Sequence, residues 1–88
     1  MTTLITGVAG FVGTNLAKQL LQSGHEIIGL DNLCRGTRAN LKSLESHPGF
    51  VFGEADLSDY EAYRRTLDQL AAGRVIREVW HLAANSDI

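Results

Sequence analysis

Cysteine, proline, methionine and tryptophan each occur once among the 88 residues. A lone thiol, Cys34, closes no internal disulfide, which removes the stapled small secreted domains and suits a reducing compartment. No apolar run approaches the ~20 residues that a membrane-spanning helix requires. Basic charge is also scarce, with 8 Lys and Arg against 10 Asp and Glu and a formal net charge of −2. The cations are scattered, so the basic stripe of a nucleic-acid binder is missing. The first strand begins by Thr3 and leaves no room for a leader, so the expectation is a soluble, cytoplasmic protein with neither membrane nor nucleic acid as partner. A chain of this length makes one domain, residues 1–88, and buries only about 60 to 65% of its unfolded surface.

Glycine, by contrast, is plentiful, and three of the nine glycines follow one another at intervals of three. Thr3-Leu4-Ile5-Thr6-Gly7-Val8-Ala9-Gly10-Phe11-Val12-Gly13 reads as a strand, a tight turn and a helix start. A pyrophosphate needs bare N–H groups and room for its oxygens, and a helix N-terminus reached through a glycine turn supplies both. Gly7 then serves the sharp turn, Gly10 removes the side chain that would block the phosphates, and Gly13 lets the helix pack closely. The alternative is that all three are ordinary turn glycines. Against it, an uninterrupted helical pattern follows, and Asp31 ends the next apolar run at about the 20-residue distance expected of a ribose-binding acid.

The rest of the chain alternates strands and helices. Val12, Leu16, Ala17, Leu20 and Leu21 give the core stripe of a helix that stops at Gly24. His25 to Asp31 is a second strand, Asn32 to Gly36 a loop, and Thr37 to about Ser46 a short helix halted by His47-Pro48-Gly49. Phe50 to Asp56 reads as a third strand. Ser58 with Glu61 forms a capping-box pattern opening a helix whose core stripe is Tyr60, Tyr63, Leu67, Leu70 and Ala71, closed by Gly73. Glu78 to Ala84 is the fourth strand, with Trp80 in the core. The β-α-β-α-β-α-β order predicts an α/β Rossmann-type fold of three layers, a parallel sheet in the order 3-2-1-4 that stops after its fourth strand.

With these residues in view, the chain resembles the extended short-chain dehydrogenase/reductase family, and within it the NAD-dependent epimerases and dehydratases of nucleotide sugars. Thr6 to Gly13 resembles that family's TGxxGFxG loop, in which Phe11 and Val12 accompany the glycines. Leu30-Asp31-Asn32-Leu33, with Gly36 and Asn40-Leu41 behind it, resembles the matching segment of UDP-glucose 4-epimerase relatives. Asp56-Leu57 and His81-Leu82-Ala83-Ala84 resemble two further motifs, in the right order along the whole chain.

The resemblance implies bound NAD and an oxidoreductase-type isomerase or lyase whose partner is a nucleotide sugar. It implies that Asp31 takes the adenosine ribose hydroxyls, with Asn32, Arg35 and Gly36 lining the adenosine end. Asp56 would accept from the adenine amino group beside Leu57, and Leu82, Ala83 and Ala84 would pass behind the ribose and nicotinamide. A carboxylate at a strand end suits a ribose diol or an exocyclic amine, being an acceptor with two oxygens. The plainer alternative makes Asp31 and Asp56 loop acids. His81 reads as a packed strand residue, since no second ligand stands at metal spacing, and Cys34 reads as a plain loop thiol despite Arg35 beside it. Asp31 favours NAD over NADP, although Arg35 and Arg38 pull the other way.

The family's proton relay pairs a Tyr with a Lys four residues later. Here Tyr60 is followed at that spacing by Arg64 and Tyr63 by Leu67, and a guanidinium, which does not titrate, is a poor substitute for the amine. No catalytic residue is therefore assigned. Ser86 stands where some epimerase relatives carry a lysine, so a strict UDP-galactose epimerase is not implied. The sequence looks like the amino-terminal part of a longer enzyme, expected to be inactive alone and to self-associate through an exposed fourth-strand edge. A cofactor-binding module without chemistry is the second reading.

Overall fold

The computed structural model describes residues 2–32, 38–55 and 58–82. Four strands, β1 (Thr2–Thr6), β2 (Glu26–Asp31), β3 (Phe50–Glu54) and β4 (Ile76–His81), alternate with helices α1 (Phe11–Gln22), α2 (Arg38–Glu45) and α3 (Tyr60–Ala71). All neighbours are parallel and the sheet order is β3-β2-β1-β4, so the Rossmann-type topology is as expected.

The strands alternate their side chains between two cores, as a sheet covered on both faces must. Ile5 and Ile27 face one way and join Ala17 and Leu21 of α1, Leu41 and Leu44 of α2, and Val8, Ala9 and Phe50 in a buried cluster. Leu4, Ile28 and Leu30 face the other way, where Tyr63, Leu67, Leu70 and Ala71 of α3 pack on them. Full burial of each such aliphatic side chain contributes about 1.5 to 3 kcal/mol, and Ile5, Ile27, Ile28, Leu30 and Leu41 are all at 0% exposure. The two layers are unequal. The α1 and α2 side is sealed, whereas α3 alone covers the opposite face and has no fully buried residue.

Several element boundaries and faces differ from the sequence reading. Val12 is 64% exposed instead of lying on the core stripe, because the first turn of α1 stands over the glycine turn, beyond the last residue of β1. Tyr60 is 66% exposed for the same kind of reason, as the first residue of α3. The cap of α3 is Asp59, whose carboxylate accepts the Ala62 N–H at 3.2 Å. Asp caps as well as Ser, and the helix starts one residue later than a Ser58 to Glu61 box would set it. The fourth strand starts at Ile76, two residues before the expected Glu78, and is described to His81, with pairing from Thr2 opposite Ile76 to Thr6 opposite His81; Ala83 and Ala84 lie outside the described residues. Trp80 is 41% exposed and not core. Ile76 at the start of β4 joins the α3 side cluster, whereas Val79 and Trp80 further along are exposed.

Candidate functional site: the glycine loop at the sheet edge

The loop from Gly7 to Gly10 leaves β1 at the carboxyl end of the sheet, where the reversal of strand order on either side of β1 leaves a crevice for ligands in open α/β folds. Gly7 takes φ of 73°, the left-handed region that suits glycine. Its N–H donates to Leu30 O at 2.8 Å, keeping the departing chain against β2. Gly10 then starts α1 as its N-cap in extended conformation and offers no capping side chain.

The two peptide groups at the apex are each held at both ends. Between Val8 and Ala9, the carbonyl accepts the Thr14 hydroxyl at 2.8 Å and the N–H donates to Asp31 Oδ2 at 2.9 Å. Between Ala9 and Gly10, the carbonyl accepts Asn40 Nδ2 at 2.9 Å and the N–H donates to Gly7 O at 3.1 Å. The loop's polar groups are thus satisfied internally, and four separate stretches of chain determine its shape.

Past the loop the accounting changes. The first helical bond of α1 is Thr14 N–H to Gly10 O at 2.9 Å, so the N–H groups of Phe11, Val12 and Gly13 have no carbonyl within the helix to donate to. No acidic side chain stands in this first turn. The helix dipole puts partial positive charge at the same place. An anion is what such an end accommodates.

The glycines differ in what they permit. A Cβ on Gly13 would lie 2.4 Å from Gly7 O and 2.9 Å from Val8 Cα, both backbone atoms, so the helix crosses the turn at a distance only glycine allows. A Cβ on Gly10 would meet only Gly7 O at 3.4 Å and otherwise point into open space. Gly13 serves packing, and Gly10 keeps the approach to the helix end clear.

Asp31 closes β2 as expected, but it is buried at 7% exposure and engaged with the loop backbone. Asn32 follows it and is exposed. Phe11 and Val12 flank the helix end, largely exposed. Leu82 is partly buried against the α1 side core, and its N–H donates to Thr6 O at 3.0 Å. The structure therefore gathers Gly7, Gly10, Phe11, Val12, Gly13, Asp31 and Leu82 around the carboxyl ends of β1 and β2. Arg35, Gly36, Asp56, Leu57, Ala83 and Ala84 lie outside the described residues.

His81 is exposed rather than packed, and its Nδ1 sits 2.7 Å from the buried Thr6 hydroxyl on the adjacent strand. Sequence reasoning gave no role to Thr14, Asn40, Gly29 or Gly53. A Cβ on Gly29 would come within 2.7 Å of Val8 Cγ1, so that glycine makes room for the loop's own anchor. A glycine inside a strand is the signal that marks such close approaches. The bonds made by Thr14 and Asn40 join positions 6 and 31 residues apart, and no local pattern announces them.

Among the described residues, no helix is long and apolar enough to cross a membrane. Comparison with known proteins fits the geometry. The family model of GDP-mannose 4,6 dehydratase matches residues 4–88. The UDP-glucose 4-epimerase of Mycolicibacterium smegmatis is 40% identical over 88 residues, which is 100% of this chain and 26% of that protein. Among solved structures, dTDP-glucose 4,6-dehydratase of Bacillus anthracis in complex with NAD superposes with a TM-score of 0.81 at 32% identity, over 99% of this chain and 28% of the other. The Thermus thermophilus UDP-glucose 4-epimerase complex with NAD gives 0.77 at 35% identity, over 97% of this chain and 24% of the other. The chain thus spans about a quarter of the length of these relatives. It belongs to the GDP-mannose 4,6 dehydratase family, among the nucleotide-sugar epimerases and dehydratases that its glycine loop resembles.

Proposed function

We propose that this chain binds NAD through the glycine loop and the end of β2, as the nucleotide-binding, amino-terminal part of an enzyme that epimerises or dehydrates a nucleotide sugar. The observation that carries the reading is the uncapped start of α1. Its N–H groups on Phe11, Val12 and Gly13, with no carbonyl to donate to within the helix, stand beside a space that Gly10 leaves clear among the described residues, next to a buried acid on the neighbouring strand. The pyrophosphate belongs at the helix end and the adenosine ribose at Asp31, with Asn32, Arg35, Gly36, Asp56 and Leu57 toward the adenine. Leu82, Ala83 and Ala84 would border the ribose and nicotinamide. NAD supplies a site that takes a hydride from the sugar and can return it.

The relatives support the choice of cofactor, since the B. anthracis dehydratase and the T. thermophilus epimerase are both described as complexes with NAD. A nucleotide sugar as substrate follows from the same comparison and from the M. smegmatis epimerase. Calorimetric titration with NAD tests the reading. Saturable binding that Gly10→Trp abolishes is expected, and no binding to the unaltered chain would overturn it.

A second reading, a cofactor-binding module without chemistry, is favoured by one observation. Tyr60 and Arg64 are both exposed on α3, and Tyr63 packs on the core beneath it, so neither tyrosine has a lysine partner. Positioned proton transfer is worth about 10² to 10⁴ in rate, and the chain alone should show no turnover. Steady NADH formation with a nucleotide sugar would refute that. Coding sequence beyond Ile88 separates the readings, because Tyr-x-x-x-Lys in frame belongs to the enzyme.

A further inference from the structure

We infer that Asn40 is a positioning residue for the phosphate-binding loop, acting through the Ala9 carbonyl; the inference rests on the proposed dinucleotide site. Asn40 is the third residue of α2 and sits 31 residues from Ala9. The side-chain amide donates to Ala9 O at 2.9 Å. That carbonyl belongs to the peptide group whose other end, the Gly10 N–H, donates to Gly7 O. Gly10 in turn is the N-cap of α1, so the plane of this one peptide sets where the chain enters the helix and how the Phe11, Val12 and Gly13 N–H groups are aimed.

The neighbouring peptide is fixed by Thr14 and Asp31. Thr14 belongs to α1 and moves with it, whereas Asp31 and Asn40 come from β2 and α2 and tie the loop to the rest of the domain. Asp31 holds the N–H of Ala9 and Asn40 holds its C=O, one on each side of a single Cα. With Asn40 gone, the peptide between Ala9 and Gly10 keeps only its bond to Gly7 O. One of its two braces is then lost, and Gly10, with no side chain of its own, adds little resistance to its rotation.

The scaffold on which Asn40 stands is held by side chains other than the amide, in the core that also takes Val8 and Ala9 of the loop. Leu41 and Leu44, on the same helix, are at 0% and 1% exposure in the α1 side core. They hold α2 whether or not the amide is present. Ala and Leu are better helix formers than Asn, so replacing Asn40 by either leaves α2 intact.

The test uses Asn40→Ala and Asn40→Leu, with ADP-ribose as ligand. One neutral hydrogen bond is worth roughly two- to tenfold in an equilibrium constant, and both variants should bind ADP-ribose about 5- to 10-fold more weakly, with the melting temperature lowered by no more than a few degrees for the Ala9 carbonyl left without the amide. In the ligand-free protein, hydrogen exchange at the Gly10 amide should speed up by a similar factor while the amides of β2 keep their protection. Unchanged affinity would overturn the inference. So would weaker affinity accompanied by equal loss of protection throughout β2, because that marks a general loosening of the fold. If the unaltered chain fails to bind ADP-ribose, the dinucleotide reading itself falls and takes this one with it.

Discussion

The Asp31 carboxylate reaches back 22 residues to accept the Ala9 N–H at 2.9 Å while being only 7% exposed. An acid proposed to meet a ribose is therefore also a brace for the loop proposed to meet the phosphates. The two tasks join the ends of one ligand, and a change at Asp31 should register at both.

Asp31→Ala removes a charge-assisted hydrogen bond and leaves the Ala9 N–H without its partner, a loss of about 1.5 to 3 kcal/mol. Denaturant unfolding should read it directly. The same carboxylate opposes a 2′-phosphate in a site where water screens little, so the unaltered chain should bind NAD more tightly than NADP. Asp31→Asn should narrow that difference. Equal or tighter binding of NADP by the unaltered chain, measured by calorimetry, would remove Asp31 from the discriminating role.

Gly10 and Gly13 lie three positions apart in one motif, yet their substitutions should separate stability from binding. Gly13→Ala forces a Cβ to within 2.4 Å of the Gly7 carbonyl oxygen, a backbone atom of a braced turn. Overpacking of this kind costs about 1 to 3 kcal/mol, more than the roughly 0.8 to 1 kcal/mol that alanine returns as a helix former. Gly10→Val meets no clash at its Cβ, whose nearest contact is 3.4 Å, so it should cost only the smaller N-cap preference of valine, about 0.5 to 1 kcal/mol, and should abolish ADP-ribose binding. A stable Gly13→Ala or a binding-competent Gly10→Val would show that the two glycines have been given each other's work.

The topology and the place of the glycine loop were legible because both rest on local signals. Apolar periodicity gave seven elements in order, and three glycines plus a strand-end acid gave the loop. Features that depend on distant packing were not. Trp80 reads as core from its apolar neighbours, but among the described residues β4 is the outer strand, paired on one side, and Trp80 is 41% exposed. Val12 and Tyr60 fit the helical period and still face outward, because each sits in a first turn that overhangs the layer below. Asn40 belongs to a segment that the resemblance singled out, but its contact with Ala9, 31 residues away, is visible only in the fold.

Helix α3 ends under backbone strain that can be relieved. Its C-cap, Ala72, takes φ of 49° and ψ of 43°, the left-handed conformation, and is exposed. Glycine adopts that conformation without a Cβ penalty. Ala72→Gly should therefore stabilise the chain by about 0.5 to 1 kcal/mol, raising the melting temperature by a few degrees. Asp59→Ala, at the other end of the same helix, should cost about 1 kcal/mol through the lost cap. Thermal melts of the pair check both signs, and a destabilised Ala72→Gly would mean that the helix end is held by something other than its own geometry.

The last prediction concerns the outer strand. β4 pairs with β1 on one side, and no described strand lies along its other side, which leaves a row of backbone donors and acceptors open to a partner. Val75, Val79 and Trp80 are 65%, 58% and 41% exposed beside that edge, and α3 leaves part of its face of the sheet thinly covered. Exposed apolar area forfeits about 25 cal/mol per Å², and a domain of this size commands only roughly 4 to 13 kcal/mol in total. A second copy of the chain, adding strand to strand, covers both liabilities at once. The chain should self-associate with rising concentration in sedimentation experiments, and Val79→Lys, which places a charge on the edge, should shift it toward monomer. Cofactor acts separately, on stability: NAD at about 100 times its Kd should add roughly 2.7 kcal/mol. A cofactor-free chain that stays monodisperse and monomeric at all concentrations, with a sharp, high melting transition, would show that the β4 edge and the α3 face need no partner.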